Sequence, residues 1–386
     1  MRQSYDGVVI TTPVSVPYAR YSVETAHWWV GAALRALVQA SGISHKDMDG
    51  LSVASFSLGA DSAINLTQHL GMSVRHLDTI PLGGAAATVA LRRAARAVQA
   101  GDVDVVACIG ADTNQPDSFR RSLEGFSRFA QDAVYPFGAG GANASFALLT
   151  RHYMERFGAT REDFGKICVA QRDNALHNPN ALMRKPLTLE AYMAAREITA
   201  PVHLFDCVMP CAGAEAFLVM REETARSQGL SYAHLTAAME FHNAFPDDPI
   251  QTRGGWAVDV DDLYAMAGCG PDGIDVLQTY DDYPVIVMMQ FEDLKFCDKG
   301  GGAEFVRAHD LRIDGSFPQN TSGGQLSAGQ AGAAGGYLGL VEALRQATGQ
   351  AGPTQVKGVK RAMALGFGMI NYDRGLASGA VILEGA

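Results

Sequence analysis

Four short stretches of the 386-residue chain carry residue types suited to chemistry. The longest is Asn320-Thr-Ser-Gly-Gly324, which continues through Gln330-Ala-Gly-Ala-Ala-Gly-Gly336. Glycines and alanines ahead of a helix let backbone N–H groups approach a ligand at the positive end of the helix. Tight packing of that helix against a neighbour is the competing reading of the same run. The second stretch, Tyr280-Asp-Asp-Tyr283, sets phenols beside carboxylates, and the third, Leu82-Gly-Gly-Ala-Ala-Ala-Thr88, opens an alanine-rich helix. The fourth is Gly366-Phe-Gly368 with Asn371-Tyr-Asp-Arg-Gly375 after it. A phenol, with a pKa of about 10, is ordinarily a proton donor. It acts as a base only beside a donor or positive charge that lowers that value. Six cysteines (Cys108, Cys168, Cys207, Cys211, Cys269 and Cys297) are scattered along the chain, which fits reduced thiols in a cytoplasm. Cys207 and Cys211 are a close pair without a second pair or a histidine cluster, and structural zinc wants four ligands, so no metal site is expected.

The elements that must position these residues alternate in the first hundred positions. Val8–Thr11, Gly50–Ser57, His76–Pro81 and Val103–Gly110 read as buried strands. Helices fall between them, over Thr25–Ala40 with Gly42 as its cap, Ala63–Leu70, and Gly84–Ala100 stopped at Gly101. From Asp112 to about Ser231 the pattern turns to helices and loops. These include Ala142–Phe157, a helix opened by the capping pair Thr160 and Asp163, a proline-bounded loop from Asn178 to Pro186, and a helix over Thr188–Arg196. Ala216–Val219 returns to strand. This stretch reads as an insertion crossing the sheet, a usual place for a ligand-contacting lid. The second half repeats the first, with strands at Asp275–Gln278, Arg361–Phe367 and Gly379–Leu383, and helices over Val285–Phe296 and Gly329–Ala347. Two βαβ-rich units of this kind suggest an internal duplication. A net charge of −10 without a basic run argues against nucleic-acid binding. Neither a secretory signal nor a membrane span is expected from residues 1–19 or from the longest apolar runs.

At these motifs the chain resembles the thiolase superfamily, and within it the lipid-transfer-protein (sterol-carrier-type) branch. Those proteins carry Asn-x-Ser-Gly-Gly, then Gly-His-Pro, then small residues, at the spacing seen from Asn320 onward. Asp206-Cys-Val-Met-Pro210 with Gly213-Ala-x-Ala216 is similar to the segment where the family's lid returns to the sheet. Tyr280-Asp-Asp-Tyr283 falls where the family has His-Asp-x-Phe or Asn-Glu-x-Phe, and Phe291–Cys297 fits the helix after it. The resemblance implies an α/β thiolase fold, five-layered α-β-α-β-α, built from two duplicated halves with a helical and loop lid. The halves are expected at 1–115 plus 216–250 and at 251–386, and the lid at 116–215. The fold also implies a homodimer through the N-terminal half, with the sheet edge near Val103–Gly110 paired across the two-fold.

The departures from the family decide the chemistry. An ordinary thiolase needs a cysteine at the start of the alanine-rich helix, where the helix dipole favours thiolate. That position falls at Gly84, and no cysteine precedes Cys108; Thr88 is the hydroxyl nearest the place. The histidine of Gly-His-Pro is replaced by Gln330, which still donates a neutral hydrogen bond to a thioester oxygen. The second cysteine position falls at Tyr372. The polar positions of the family thus become Tyr280, Gln330 and Tyr372, with the backbone of Gly84 and Gly368, and Asn320, left to hold an oxyanion. The other cysteines read as buried inert thiols.

A branch of the superfamily that has lost its cysteines and uses tyrosines comprises the thiolase-like aldolases of steroid side-chain degradation, which work with a small subunit carrying an OB fold and a zinc ribbon. The resemblance to that branch implies retro-aldol cleavage of a β-hydroxyacyl-CoA, with Tyr280 or Tyr372 as base and acid. Coenzyme A enters as part of the substrate, and no other cofactor is expected. Arg184 and Lys185 in the proline-bounded loop, and the backbone of Ser322, Gly323 and Gly324, are the candidates for contact with it. A heterotetramer with the small subunit is the implied assembly. Two readings stay open beside this one: a β-ketoacyl-CoA thiolase or acyltransferase with an unconventional site, and a non-catalytic subunit that binds the thioester. His242, at the end of the lid, is read as structural. The aromatic residues Phe126, Phe129, Tyr135 and Phe137 are placed in the lid that shapes the acyl pocket.

Overall fold

The computed structural model describes residues 3–59, 61–116, 131–138, 141–372 and 374–386. The first half contains β1 (Val8–Ala19), α1 (Ala26–Ser41), β2 (Gly50–Ala54), α2 (Ser62–Leu70), β3 (His76–Thr79), α3 (Ala86–Ala100) and β4 (Val105–Asp112). The Thr25 side chain accepts from the Trp28 N–H to start α1, and Gly42 ends it in the left-handed conformation. The crossing segment holds α4 (Gln131–Val134), α5 (Gly141–Phe157), α6 (Arg161–His177), α7 (Leu189–Met193), β5 (Glu197–Thr199) and β6 (Val202–His203). The capping box of Thr160 and Asp163 forms at the start of α6. The chain then returns through β7 (Ala212–Arg221), α8 (Glu222–Ser227) and β8 (Tyr232–His242). It ends with α9 (Trp256–Ala267), β9 (Val276–Gln278), α10 (Pro284–Asp293), α11 (Gly302–Ala308), α12 (Gly324–Ala328), α13 (Gly335–Ala347), β10 (Arg361–Asn371) and β11 (Arg374–Gly385).

Nine strands form one sheet in the order β3-β2-β4-β7-β1-β8-β11-β10-β9. The duplication is visible in that order, read outward from the β1–β8 contact. On one side β7, β4 and β2 follow β1; on the other β11, β10 and β9 follow β8. The directions match as well. β4 is antiparallel to β7 as β10 is to β11, and β2 is parallel to β4 as β9 is to β10. Helices α3 and α13 also correspond, each preceded by a single 3₁₀ turn, Gly83–Ala85 and Gly332–Ala334.

Strand alternation sorts the side chains into layers. On β4, Val105, Ala107 and Ile109 pack with α1, while Val106 and Cys108 pack with α3 and α13. On β10, Ala362 and Ala364 face the same central helices, while Met363, Leu365 and Phe367 face α9 and α10. The stack is therefore helix, first sheet half, α3 and α13, second sheet half, helix. Five layers result.

Three sequence expectations change. Val105–Asp112 is internal, hydrogen-bonded to β2 and β7, and the free edge of that half is β3. The edge moves because α2 carries the chain past β2 to one further parallel strand. β8, grouped by sequence with the first half, pairs along nearly its whole length with β11 and only over Val9–Thr11 with β1. The single helix expected over Gly329–Ala347 is broken, because Gly329 at φ 122° and Gly332 at φ 52° turn the backbone out of the helical region.

Candidate active site

Tyr280 sits in the turn between β9 and α10, where one buried glutamine fixes its peptide. The Tyr280 N–H donates to Gln290 Oε1 at 2.9 Å, and Gln290 Nε2 donates back to the Tyr280 carbonyl at 2.7 Å. The ring lies directly over Gly84. A Cβ added at Gly84 would overlap the ring and would also strike the Phe367 carbonyl oxygen. The phenol thus fills the volume in which a side chain at position 84 would stand. Its hydroxyl donates to Asp282 Oδ2 at 2.7 Å, and Gln330 Nε2 donates to Asp282 Oδ1 at 2.9 Å. Gln330 is itself fixed by its backbone, which donates to the Met209 carbonyl and accepts from the Cys211 N–H, both at 2.9 Å.

The two adjacent aspartates point to different tasks. Asp281 accepts from the Gln325 and Leu326 N–H groups at 3.0 and 3.2 Å, which locks the turn to the start of α12. Burial pushes its carboxyl up to about 6. Asp282 faces the cavity instead. Burial pushes its carboxyl up to about 7; the charge of Asp281 adds to this, and the hydrogen bonds from Tyr280 and Gln330 hold it back. Burial, and then the neighbouring Asp282, drive the Tyr280 hydroxyl well above the usual phenol range. Tyr280 is held in its protonated form.

These groups line a cavity of about 340 Å³ together with the Gly84 and Gly368 backbones. The two glycines meet: a Cβ on Gly368 would press on the Leu82 carbonyl and come 3.0 Å from the Gly84 nitrogen. Phe56, Phe146, Tyr283, Phe367 and Met369 give the cavity an apolar wall, with Phe146 stacked on Tyr283 at 4.2 Å between ring centroids. The Tyr283 hydroxyl donates to Asn143 Oδ1 at 2.5 Å. Among the described lining residues, Arg196 carries the single positive charge and is exposed at its side chain. Sequence reasoning missed Asp282, Asn143 and Arg196. Only Asp282 had a signal, as the second acid in the Tyr-Asp-Asp-Tyr motif.

Of the residues singled out by sequence, Tyr280, Gln330, Gly84 and Gly368 come together in the cavity. Tyr372 does not line it; the residue is 47% exposed at the β10–β11 turn, and its carbonyl accepts from Ser145 Oγ. Asn320 is buried behind the motif, accepting from the Thr279 N–H at 2.7 Å. Ser322, Gly323 and Gly324 are interior. Gly323 packs on Ala175, and Gly324 on the Asp281 carboxylate, so protein atoms take the room a ligand would need there. The run from Asn320 is in this part a packing device. Arg184 folds back on its own loop, donating to the Asn178 carbonyl at 2.8 Å and to the Pro179 carbonyl, and Lys185 is exposed outside the cavity lining. Thr88 is fully buried and donates to the Ala85 carbonyl. Cys207 and Cys211 do reach the cavity wall, yet burial pushes the Cys207 thiol up to about 12 and Cys211 higher. Both stay protonated. His242 pairs with Glu240 at 3.3 Å on the surface. Tyr135 and Phe137 are exposed outside the lining, and Phe126 and Phe129 lie outside the described residues.

A family model described as "Thiolase C-terminal domain-like" matches residues 242–378. A steroid side-chain-cleaving aldolase of Thermomonospora curvata is 31% identical over 82% of this chain and 84% of that protein. A 17-hydroxy-3-oxo-4-pregnene-20-carboxyl-CoA lyase of Mycobacterium tuberculosis is 30% identical over 82% and 85%. The solved Ltp2–ChsH2(DUF35) aldolase superposes with a TM-score of 0.84 at 26% identity, over 98% of each chain. With a tyrosine ring standing over Gly84, and with relatives at 31% and 30% identity named as an aldolase and a CoA lyase, the chain belongs to the aldolase branch of the thiolase superfamily.

Proposed function

We propose that the protein cleaves a β-hydroxyacyl-CoA by a retro-aldol reaction, giving a ketone or aldehyde and a shorter acyl-CoA. The observation that carries this is the Tyr280 ring over Gly84, which puts a proton-bearing phenol where a thiolase holds its covalent nucleophile. A retro-aldol cleavage needs no nucleophile. It needs a proton acceptor for the β-hydroxyl, donors for the enolate oxygen, and an acid to quench the enolate. Tyr280 serves the hydroxyl, and the Gly84 and Gly368 backbones, with Gln330, serve the thioester oxygen. The apolar wall of Phe56, Phe146, Phe367 and Met369 suits a bulky hydrophobic acyl group, in keeping with the steroid substrates for which the relatives are named. Arg196, on the cavity wall, is the group in this reading that meets an anionic part of the thioester.

Coenzyme A is part of the substrate in this reading, and no other cofactor is required. The protein works as a homodimer through its N-terminal half, with β3 as the available edge, and with a small OB-fold and zinc-ribbon subunit; the similar solved aldolase is itself a complex of Ltp2 with ChsH2(DUF35). The compartment is the cytoplasm, which suits the six free thiols. Among the described residues no helix is long and apolar enough to cross a membrane.

The test is product analysis with a β-hydroxyacyl-CoA branched at the β-carbon, with and without free CoA. Release of a carbonyl compound and a shorter acyl-CoA, independent of free CoA, is expected. Tyr280→Phe should lower kcat by about 100-fold or more, the usual scale of a lost acid–base group. CoA-dependent cleavage of the β-ketoacyl analogue with a trappable acyl-enzyme would instead establish a thiolase.

A further inference from the structure

We propose that Asp282 stores the substrate's proton between bond cleavage and enolate quenching, with Tyr280 as the relay between that carboxylate and the substrate; this rests on the retro-aldol reading above. The Tyr280 hydroxyl is hydrogen-bonded to Asp282 and lies in the field of Asp281, and among the described residues no cation is hydrogen-bonded to it. A phenolate formed there would stand against two carboxylates in a buried site, which is the arrangement that most disfavours it. Tyr280 alone is therefore a poor base. The 2.7 Å bond to Asp282 removes the difficulty, because the phenol can take a proton on its oxygen while passing its own to the carboxylate. No phenolate need form.

Asp282 is built for that part. It stands at the variable position of the His-Asp-x-Phe pattern, so the resemblance to thiolases assigns it nothing. The Gln330 amide holds its other oxygen at 2.9 Å, which fixes the carboxylate plane toward the phenol. The neighbouring acid, Asp281, is engaged with the start of α12 and does not line the cavity.

The step balances without a co-reactant. The β-hydroxyl O–H bond breaks, its proton goes to Tyr280 Oη, and the Tyr280 proton goes to Asp282 Oδ2. The alkoxide electron pair forms the new C=O, and the Cα–Cβ bond breaks with its electrons moving to Cα as the thioester enolate. Asp282 then returns its proton through Tyr280 to Cα, which gives the shorter acyl-CoA and restores both groups. The charged and titratable groups around Asp282 are Tyr280, Asp281 and Tyr283 on its own segment, Cys207 from the strand-like stretch before β7, Asp112 at the end of β4, and Arg196 across the cavity. Burial, and after it the charge of Asp281, hold the Asp282 carboxyl near neutrality, where a general base is most effective.

The test is the pH dependence of kcat for wild type, Asp282→Asn and Asp282→Glu with the same β-hydroxyacyl-CoA, with thermal melts in the same buffers. Wild type should show an ionisation near pH 7 in kcat. In Asp282→Asn, kcat should fall by about 100-fold or more, KM should change far less, and that ionisation should vanish. Asp282→Glu should recover part of kcat with a displaced midpoint, and it carries the test alone if the asparagine variant does not fold. An Asp282→Asn enzyme that keeps wild-type kcat and the same profile overturns the proposal while leaving the aldolase intact. Absence of cleavage by wild type overturns the aldolase reading and this one with it.

Discussion

At the scale of single residues, Gly84 shows why this site cannot be a thiolase with one atom group missing. The Tyr280 ring and a side chain at position 84 compete for the same space, so nucleophile and phenol exclude each other. Gly84→Cys should therefore not gain acyltransfer. It should displace the ring, lower stability by about 1–3 kcal/mol through overpacking, and lose the aldol cleavage as well. Gly84→Ala should do the same without offering a thiol. Replacing both residues, as Gly84→Cys with Tyr280→His, relieves the overlap with the ring but not the one with the Phe367 carbonyl oxygen, so it is expected to recover only part of the lost melting temperature. Intact-mass measurement after incubation with acyl-CoA, beside thermal melts, checks all three variants. A covalent acyl adduct on the single cysteine variant would show that the ring yields more readily than its packing implies.

At the scale of elements, the site depends on how loop ends are tied. Asp112, at the end of β4, accepts from Ser55 Oγ and from the N–H groups of Phe56, Ser57 and Ala333. One buried carboxylate thereby joins the exit of β2 to the turn ahead of α13, the central helix of the other half. Gly332 is required beside it, since a Cβ there would overlap the carboxylate. Asp112→Ala should leave three backbone donors unpaired and cost about 3 kcal/mol, read as a lower urea midpoint, with kcat/KM falling because Phe56 and Gly332 line the cavity. None of this was legible in the sequence, where Asp112 merely ends an apolar run. What could be read were features with a local cause. The caps at Gly42 and Thr160, the strand within Val103–Gly110 and the alanine-rich helix after Gly84 all follow from neighbours within a few positions. β8 escaped because Ala233, Ala237 and Ala238 blunt its alternation, although it is the strand on which the two halves meet. In the site, position carried Tyr280 and Gln330, since both stand at matched places in a motif. Tyr372 stands in no matched motif, and hairpin geometry turns it outward.

At the scale of the molecule, the same burial that tunes the site sets the pH dependence of stability. Burial raises the carboxyls of Asp281 and Asp293 to about 6 and those of Asp282 and Glu215 to about 7. Unfolded carboxylates titrate near 4. A group whose folded value is raised contributes stability that is complete below its unfolded value and is lost as pH rises through the folded one. All four act in that direction, so stability should decline from about pH 4 to 7.5 and then level. Asp248 and Asp310, held low by hydrogen bonds from Arg253 and Arg312, act oppositely, and their stabilisation is lost only as the solution becomes more acid than the ordinary carboxylate range. Both lie near the surface, where solvent screening keeps such pairs weak. The melting temperature should accordingly be higher at pH 5 than at pH 8. Asp282→Asn should flatten that slope, raising the melting temperature more at pH 8 than at pH 5. The residue that holds the proton would then be the one whose ionisation the fold opposes, a cost borne because a carboxylate already relaxed in water would be too weak a base. A melting temperature that rises from pH 5 to 8 in wild type would mean that these carboxyls ionise freely in the folded protein. The acid–base role given to Asp282 would then have to rest on its hydrogen bond to Tyr280 alone.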